Sequence, residues 1–181
     1  MCKSIVYILA TLTIAAVVGP LMSCKNIDLT TGEKAEIYAA VIRQLATVDD
    51  TFGGNLHPQL LYIIKNTDDS AADPSEEQKN NSVLIPQNMQ ENIRGALNNL
   101  QIEIVWIDQF EDAKFDVNTG SVKNNGAIIT LGNICPQTAG TVNVAGSIYI
   151  GNLAAGGTTY VLSRINGVWT ITGRTGPTWI S

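Results

Sequence analysis

The chain reads as an α+β domain: about two helices packed on a mostly antiparallel sheet of five or six strands that ends in a β-meander. Three observations carry this. A helix-period stripe follows an early capping signature. The last third alternates apolar and polar residues with period two. Finally, charge is unevenly spread. From Asn124 to Ser181 there is no Asp or Glu, only Arg164 and Arg174 are charged, and ten of the sixteen glycines lie there. An acidic, helix-rich part and a nearly uncharged β-rich part make two layers of one domain, because neither promises a closed core alone.

The chain has 181 residues, of which 45% are hydrophobic and 15% charged. That length suits one domain and that apolar fraction a folded one. Eleven basic against sixteen acidic residues leave a net charge of −5, which argues against nucleic acid as a main partner, since phosphate needs a basic surface.

The N-terminus reads as an address. Lys3 precedes an uncharged, largely apolar run from Ile5 to Val18, and Gly19-Pro20 breaks it. A bilayer span needs about 20 residues, so the run suits a signal peptide better than an anchor. Leu21-Met22-Ser23-Cys24 then resembles the lipobox of bacterial lipoproteins: an aliphatic residue, a tolerant position, a small residue and a cysteine. The resemblance covers the N-terminal segment alone. It implies cleavage after residue 23, acylation of the Cys24 thiol, and a chain held at a membrane of the bacterial cell envelope, outside the cytoplasm. Removing residues 1–23 leaves 158. On this reading Cys2 is discarded, Cys135 is the one free thiol, and no intramolecular disulfide forms. Residues 24–29 are a lipidated tether and 30–181 the single domain.

Thr30-Thr31-Gly32-Glu33 is a capping box, with Thr30 as N-cap. Ile37, Tyr38, Val41, Ile42, Leu45 and Val48 form the apolar stripe of a helix of about four turns, and Asp49-Asp50 with Gly53-Gly54 stop it. Leu60 to Ile64 reads as a buried strand. Asn66 to Ser82 is polar and acidic and is expected to be a mobile excursion. Pro86 suits the start of a second helix with Met89, Ile93, Leu97 and Leu100 on one face. Ile102 to Ile107 is a strand, with Ile102, Ile104 and Trp106 on one side.

The β-rich part begins with Ala127 to Leu131. In Thr141 to Ile150, residues Val142, Val144, Ile148 and Ile150 share a face with Gly146 in register. Gly156-Gly157 precedes the next strand. Asn166-Gly167 sits between two alternating runs, a hairpin signal because both residues accept positive φ. A two-residue turn pairs Ile165 with Val168, Arg164 with Trp169 and Leu162 with Ile171, and puts Tyr160, Leu162, Trp169 and Ile171 on the core face. Arg164 opposite Trp169 suggests a cation–π stack. Trp179 is expected to staple the tail to the domain.

Chemical motifs are sparse. His57, the single histidine, lies in a glycine-flanked loop and is the candidate general base of a hydrolase. No G-x-S-x-G, P-loop, G-x-G-x-x-G or H-E-x-x-H accompanies it. Asp68, Asp69 and Asp73 are the candidate calcium ligands, in an acidic loop whose spacing matches no recognised cation loop. Asp116-Val117-Asn118 opens like an EF-hand, but the twelfth position falls on Ala127 where a glutamate is needed. One histidine and one free cysteine do not make a zinc site. No cofactor is implied. The three tryptophans fit core positions better than a carbohydrate platform.

The hairpin Tyr160-x-Leu162-x-Arg164-x-Asn166-Gly167-x-Trp169-x-Ile171 looks like the last hairpin of many NTF2-like domains, which are cone-shaped α+β folds. It covers about a dozen residues. The strand at Leu60 to Ile64 and the second helix interrupt that family's order of helices followed by a sheet, and no functional residues carry over. The resemblance implies a ligand pocket between helices and sheet. The leading expectation from the sequence is a non-catalytic, lipid-anchored envelope protein, a binding or structural module with a possible envelope protein partner. A small-ligand pocket protein and a His57 hydrolase are the alternatives.

Overall fold

The computed structural model describes residues 24–75 and 81–181. The lipobox residues before Cys24, and Glu76 and Glu77 of the acidic loop, lie outside them. Helix α1 spans Thr31–Thr47 and α2 spans Gln87–Ala96. The strands are β1 (Leu60–Ile64), β2 (Glu103–Ile107), β3 (Gly126–Leu131), β4 (Cys135–Thr138), β5 (Thr141–Gly151), β6 (Ala154–Ile165) and β7 (Val168–Ile180). They form one seven-stranded sheet in the order β2-β1-β3-β5-β6-β7, with β4 paired to β5 off that path. The pairs β1–β2 and β1–β3 are parallel, and every other pair is antiparallel. The α+β class is as the sequence predicts. The parallel half arises because long crossovers, one carrying α2, return the chain to the same sheet end.

α1 starts where the capping box predicts. The Thr30 hydroxyl accepts from the Glu33 N–H at 3.2 Å, and the Thr30 N–H donates back to Glu33 at 3.0 Å. These bonds, with the Arg164 guanidinium beside them, hold the Glu33 carboxyl below its usual range. Arg164 reaches Glu33 at 2.7 Å, so an ion pair ties the last hairpin to the helix start. Ile37, Val41, Ile42 and Leu45 are fully buried against Leu61, Ile63, Val142, Val144, Tyr160 and Leu162 in one apolar cluster. α2 adds Met89 and Ile93 to it. A smaller cluster on the opposite face joins Tyr62, Ile107 and Ile128 to Phe110, Phe115 and Tyr149.

The hairpin has the predicted register, Ile165 with Val168, Arg164 with Trp169 and Leu162 with Ile171, and Asn166 and Gly167 have φ of 51° and 84°. Three expectations need correction. The segment from Asn66 to Ser82 is not a free excursion over its described part. Asn66 bridges Leu84, Thr67 is buried, and Ala71 and Ala72 pack on Ala145. Its carboxylates stabilise the turn by accepting local N–H groups, so a largely polar run folds around these two small apolar residues. Trp179 staples the tail as expected, its indole N–H donating to Ala71 O at 3.0 Å, but the last strand is longer than the alternation to Thr172 predicts. β7 runs on to Ile180, and the pairing skips residues between Thr158 and Thr159 and between Val161 and Leu162. Pro177 is tolerated there because β7 is an edge strand.

The third correction concerns sulfur. Cys24 is bonded to Cys135, with Cα atoms 4.9 Å apart. The tether makes this possible: the Lys25 N–H donates to Pro136 O at 2.8 Å and so lies along β4. The expectation that Cys135 is a lone free thiol does not hold for this form of the chain. β4, the strand that carries Cys135, is too short and too polar to show in the sequence pattern.

Candidate functional site

At the C-terminal end of α1 the chain turns sharply beside β6 and β7, and a cavity of about 230 Å³ opens there. Leu45, Val48, Thr51, Tyr160, Arg174 and Trp179 are among the residues that line it. The loop after α1 is built around Asp50, which is fully buried. Its Oδ1 accepts from the N–H groups of Phe52 at 2.9 Å and Gly54 at 2.7 Å, and its Oδ2 from Leu56 at 2.6 Å. Three donors compensate a carboxylate taken out of water, and they hold the loop against the helix end.

Thr51 carries the local strain. It has φ of 63°, a left-handed conformation that a β-branched residue resists. Its Oγ1 is buried without a hydrogen-bond partner among the described residues. Backbone strain of this kind persists only where surrounding structure over-determines it, and it concentrates at functional sites.

Asp49 organises the polar wall. Its Oδ2 accepts from the Tyr160 hydroxyl at 2.9 Å and from the Gln44 amide at 3.2 Å. Its Oδ1 pairs with the Arg174 guanidinium. Burial and the Asp49 charge push the Tyr160 hydroxyl well above the usual tyrosine range, so it stays a donor at all ordinary pH. The far wall is thin because β6 places Gly156 and Gly157 there. A Cβ on Gly157 would collide with the backbone oxygen of Ala71, and would lie 2.6 Å from the Trp179 indole nitrogen, which donates to that same oxygen at 3.0 Å. Glycine is needed at 157 for this close approach.

The sequence-predicted candidates lie elsewhere. His57 is exposed with φ of 47°, and its backbone carbonyl accepts from Asn125 at 3.0 Å. Among the described residues its ring makes no hydrogen bond to a carboxylate, serine or cysteine. Asp68 accepts from Ser70, Asp69 from Asn133 and Asn81, and Asp73 from Ser75. These carboxylates cap turns and do not converge, and no three ligating side chains are grouped for a metal among the described residues. Asp116 likewise accepts from Asn118 and Thr119, bonds that hold its carboxyl below the usual range. No helix among the described residues is long and apolar enough to cross a membrane.

The cavity residues were visible in the sequence only as punctuation. Asp49-Asp50 read as a helix stop and Gly156-Gly157 as a strand boundary. A pair of acids at a helix end, facing the sequence's last arginine, was the one available signal. Comparison with protein-family profiles, curated proteins and solved structures finds no match to this chain.

Proposed function

We propose that this protein is an exported module of the bacterial envelope that binds a small ligand in the cavity between α1, β6 and β7. The observation that carries the reading is the convergence there of an apolar hollow, a strained Thr51 and the Asp49–Tyr160–Arg174 cluster. An apolar cavity of about 150 Å³ is enough to admit benzene, so the volume suits a compact ligand. The NTF2-like resemblance of the last hairpin points to the same region.

The lipobox supports export and acylation of Cys24, and the acyl chains then hold the domain at the membrane surface. One sulfur cannot carry both a lipid and a disulfide. The Cys24–Cys135 bond therefore belongs to the unacylated chain, and in the anchored form Cys135 is a thiol. Both chemistries belong to an exported chain, because disulfides persist in oxidising compartments.

Two experiments test the reading. Cys24→Ser in cells releases the protein from the membrane fraction; unchanged retention refutes the anchor. A thermal-shift screen of residues 24–181, which contain every described element, finds a class of small molecules that raises Tm. A ligand at 100 times its Kd stabilises by about 2.7 kcal/mol. A flat response to a broad small-molecule library sinks the pocket reading and leaves a protein partner.

A further inference from the structure

The charges on the cavity wall limit what can enter. Among the described residues that line it, Asp49 and Arg174 are the only formally charged side chains, and they cancel each other. Asp49 has little acceptor capacity left, since Arg174, the Tyr160 hydroxyl and the Gln44 amide all donate to it. The Trp179 indole N–H is spent on Ala71 O, and the Thr158 hydroxyl is shared with Thr178 at 2.8 Å. The Thr51 hydroxyl is sealed from solvent. Arg174 remains. A guanidinium has five N–H donors and no acceptor, one of its nitrogens faces Asp49, and the side chain is 49% exposed.

We infer that the cavity takes a small, uncharged, mainly apolar molecule with a carbonyl or other hydrogen-bond acceptor directed at Arg174. This rests on the pocket reading and narrows it. A carboxylate would gain Arg174 but meet the like charge of Asp49, and an amine would gain Asp49 only by displacing donors already in place and by approaching Arg174. A neutral ester, ketone, lactone or amide meets neither repulsion. Leu45, Val48 and Ile180 supply the apolar contact.

The test uses four molecules built on one styryl core: methyl cinnamate, cinnamate, cinnamylamine and the hydrocarbon propenylbenzene. Binding to residues 24–181 at pH 7 is measured by calorimetry. The ester binds about tenfold or more tightly than the hydrocarbon, the size of one charge-assisted hydrogen bond, and more tightly than either ion. In Asp49→Asn/Arg174→Met, which keeps the wall neutral, the ester's advantage over the hydrocarbon disappears. Tighter binding of cinnamate or of the amine overturns the ligand class and leaves the pocket standing. So does equal binding of ester and hydrocarbon by the unaltered protein. No binding by any of the four, together with a flat library screen, overturns both.

Discussion

Thr51→Gly isolates the strain at the rim of the cavity. Thr51 sits at φ of 63°, and a left-handed L-residue costs about 1–2 kcal/mol. Its buried, unpartnered hydroxyl costs about 1–3 kcal/mol more. Two losses offset these gains. Glycine gives the unfolded chain extra freedom, about 0.5–1 kcal/mol. The Thr51 methyl, which packs 3.4 Å from where a Gly156 Cβ would stand, takes about 0.8 kcal/mol with it. Thr51 is partly exposed, so the lower ends of the gains apply, and the net is a stabilisation of about 0.5 kcal/mol. For a domain of this size that raises Tm by about 1–2 °C. Scanning calorimetry of residues 24–181 measures it, with urea titration to confirm an unchanged slope. Thr51→Val keeps the positive φ and exchanges the hydroxyl for a methyl, so it reports the hydroxyl's share alone. A Thr51→Gly protein that melts at or below the parent temperature refutes the claim that strain is stored here.

Four other outcomes follow from the same geometry. Cys135→Ser opens a link between residues 111 apart in sequence and destabilises the unacylated chain by about 2–4 kcal/mol, read as a lowered Tm without reductant; equal melting of the two proteins contradicts the disulfide. Gly157→Ala drives a methyl into Ala71 O, so Tm drops by several degrees and the cavity deforms; an unchanged melt means that β6 and the Ala71 turn are not in contact. Burial, then the charges of Asp69 and Asp49, raise Tyr38 and Tyr160 above the ordinary value. The unfolded chain therefore loses these protons first, so stability is intact below pH of about 10 and falls as pH rises beyond it; urea midpoints from pH 8 to 11 show this fall, and Tyr38→Phe makes it shallower. Gly167→Val puts a β-branched residue at φ of 84° and lowers Tm, and a melt matching the parent contradicts the Asn166-Gly167 turn.

What the sequence made legible follows from how local each cause is. The capping box of α1 and the register of the last hairpin depend on neighbours a few residues apart, and both stand as predicted. Sheet order was not legible, because β1 lies between β2 and β3 only after long crossovers. The second half of β7 was missed because Gly173, Gly176 and Pro177 interrupt the alternation; an edge strand with two bulges absorbs them. The cavity was missed for a related reason. Its polar wall joins Asp49 at a helix end to Tyr160 and Arg174, which are 111 and 125 residues away. His57 drew attention as a residue type, and the fold leaves it on the surface. Cys135 looked solitary because the lipobox assigns the Cys24 sulfur to a lipid.

The most direct test of the central claim is to map bound fragments by amide chemical shifts on residues 24–181. Ligands of the cavity perturb Val48 to Gly53, Gly156 to Tyr160, Arg174 and Thr178 to Ile180 together, with the Tyr160 and Trp179 side chains among them. Hits that gather instead along the groove of α2 and β2 around Trp106, or a library that moves no resonance, contradict that claim.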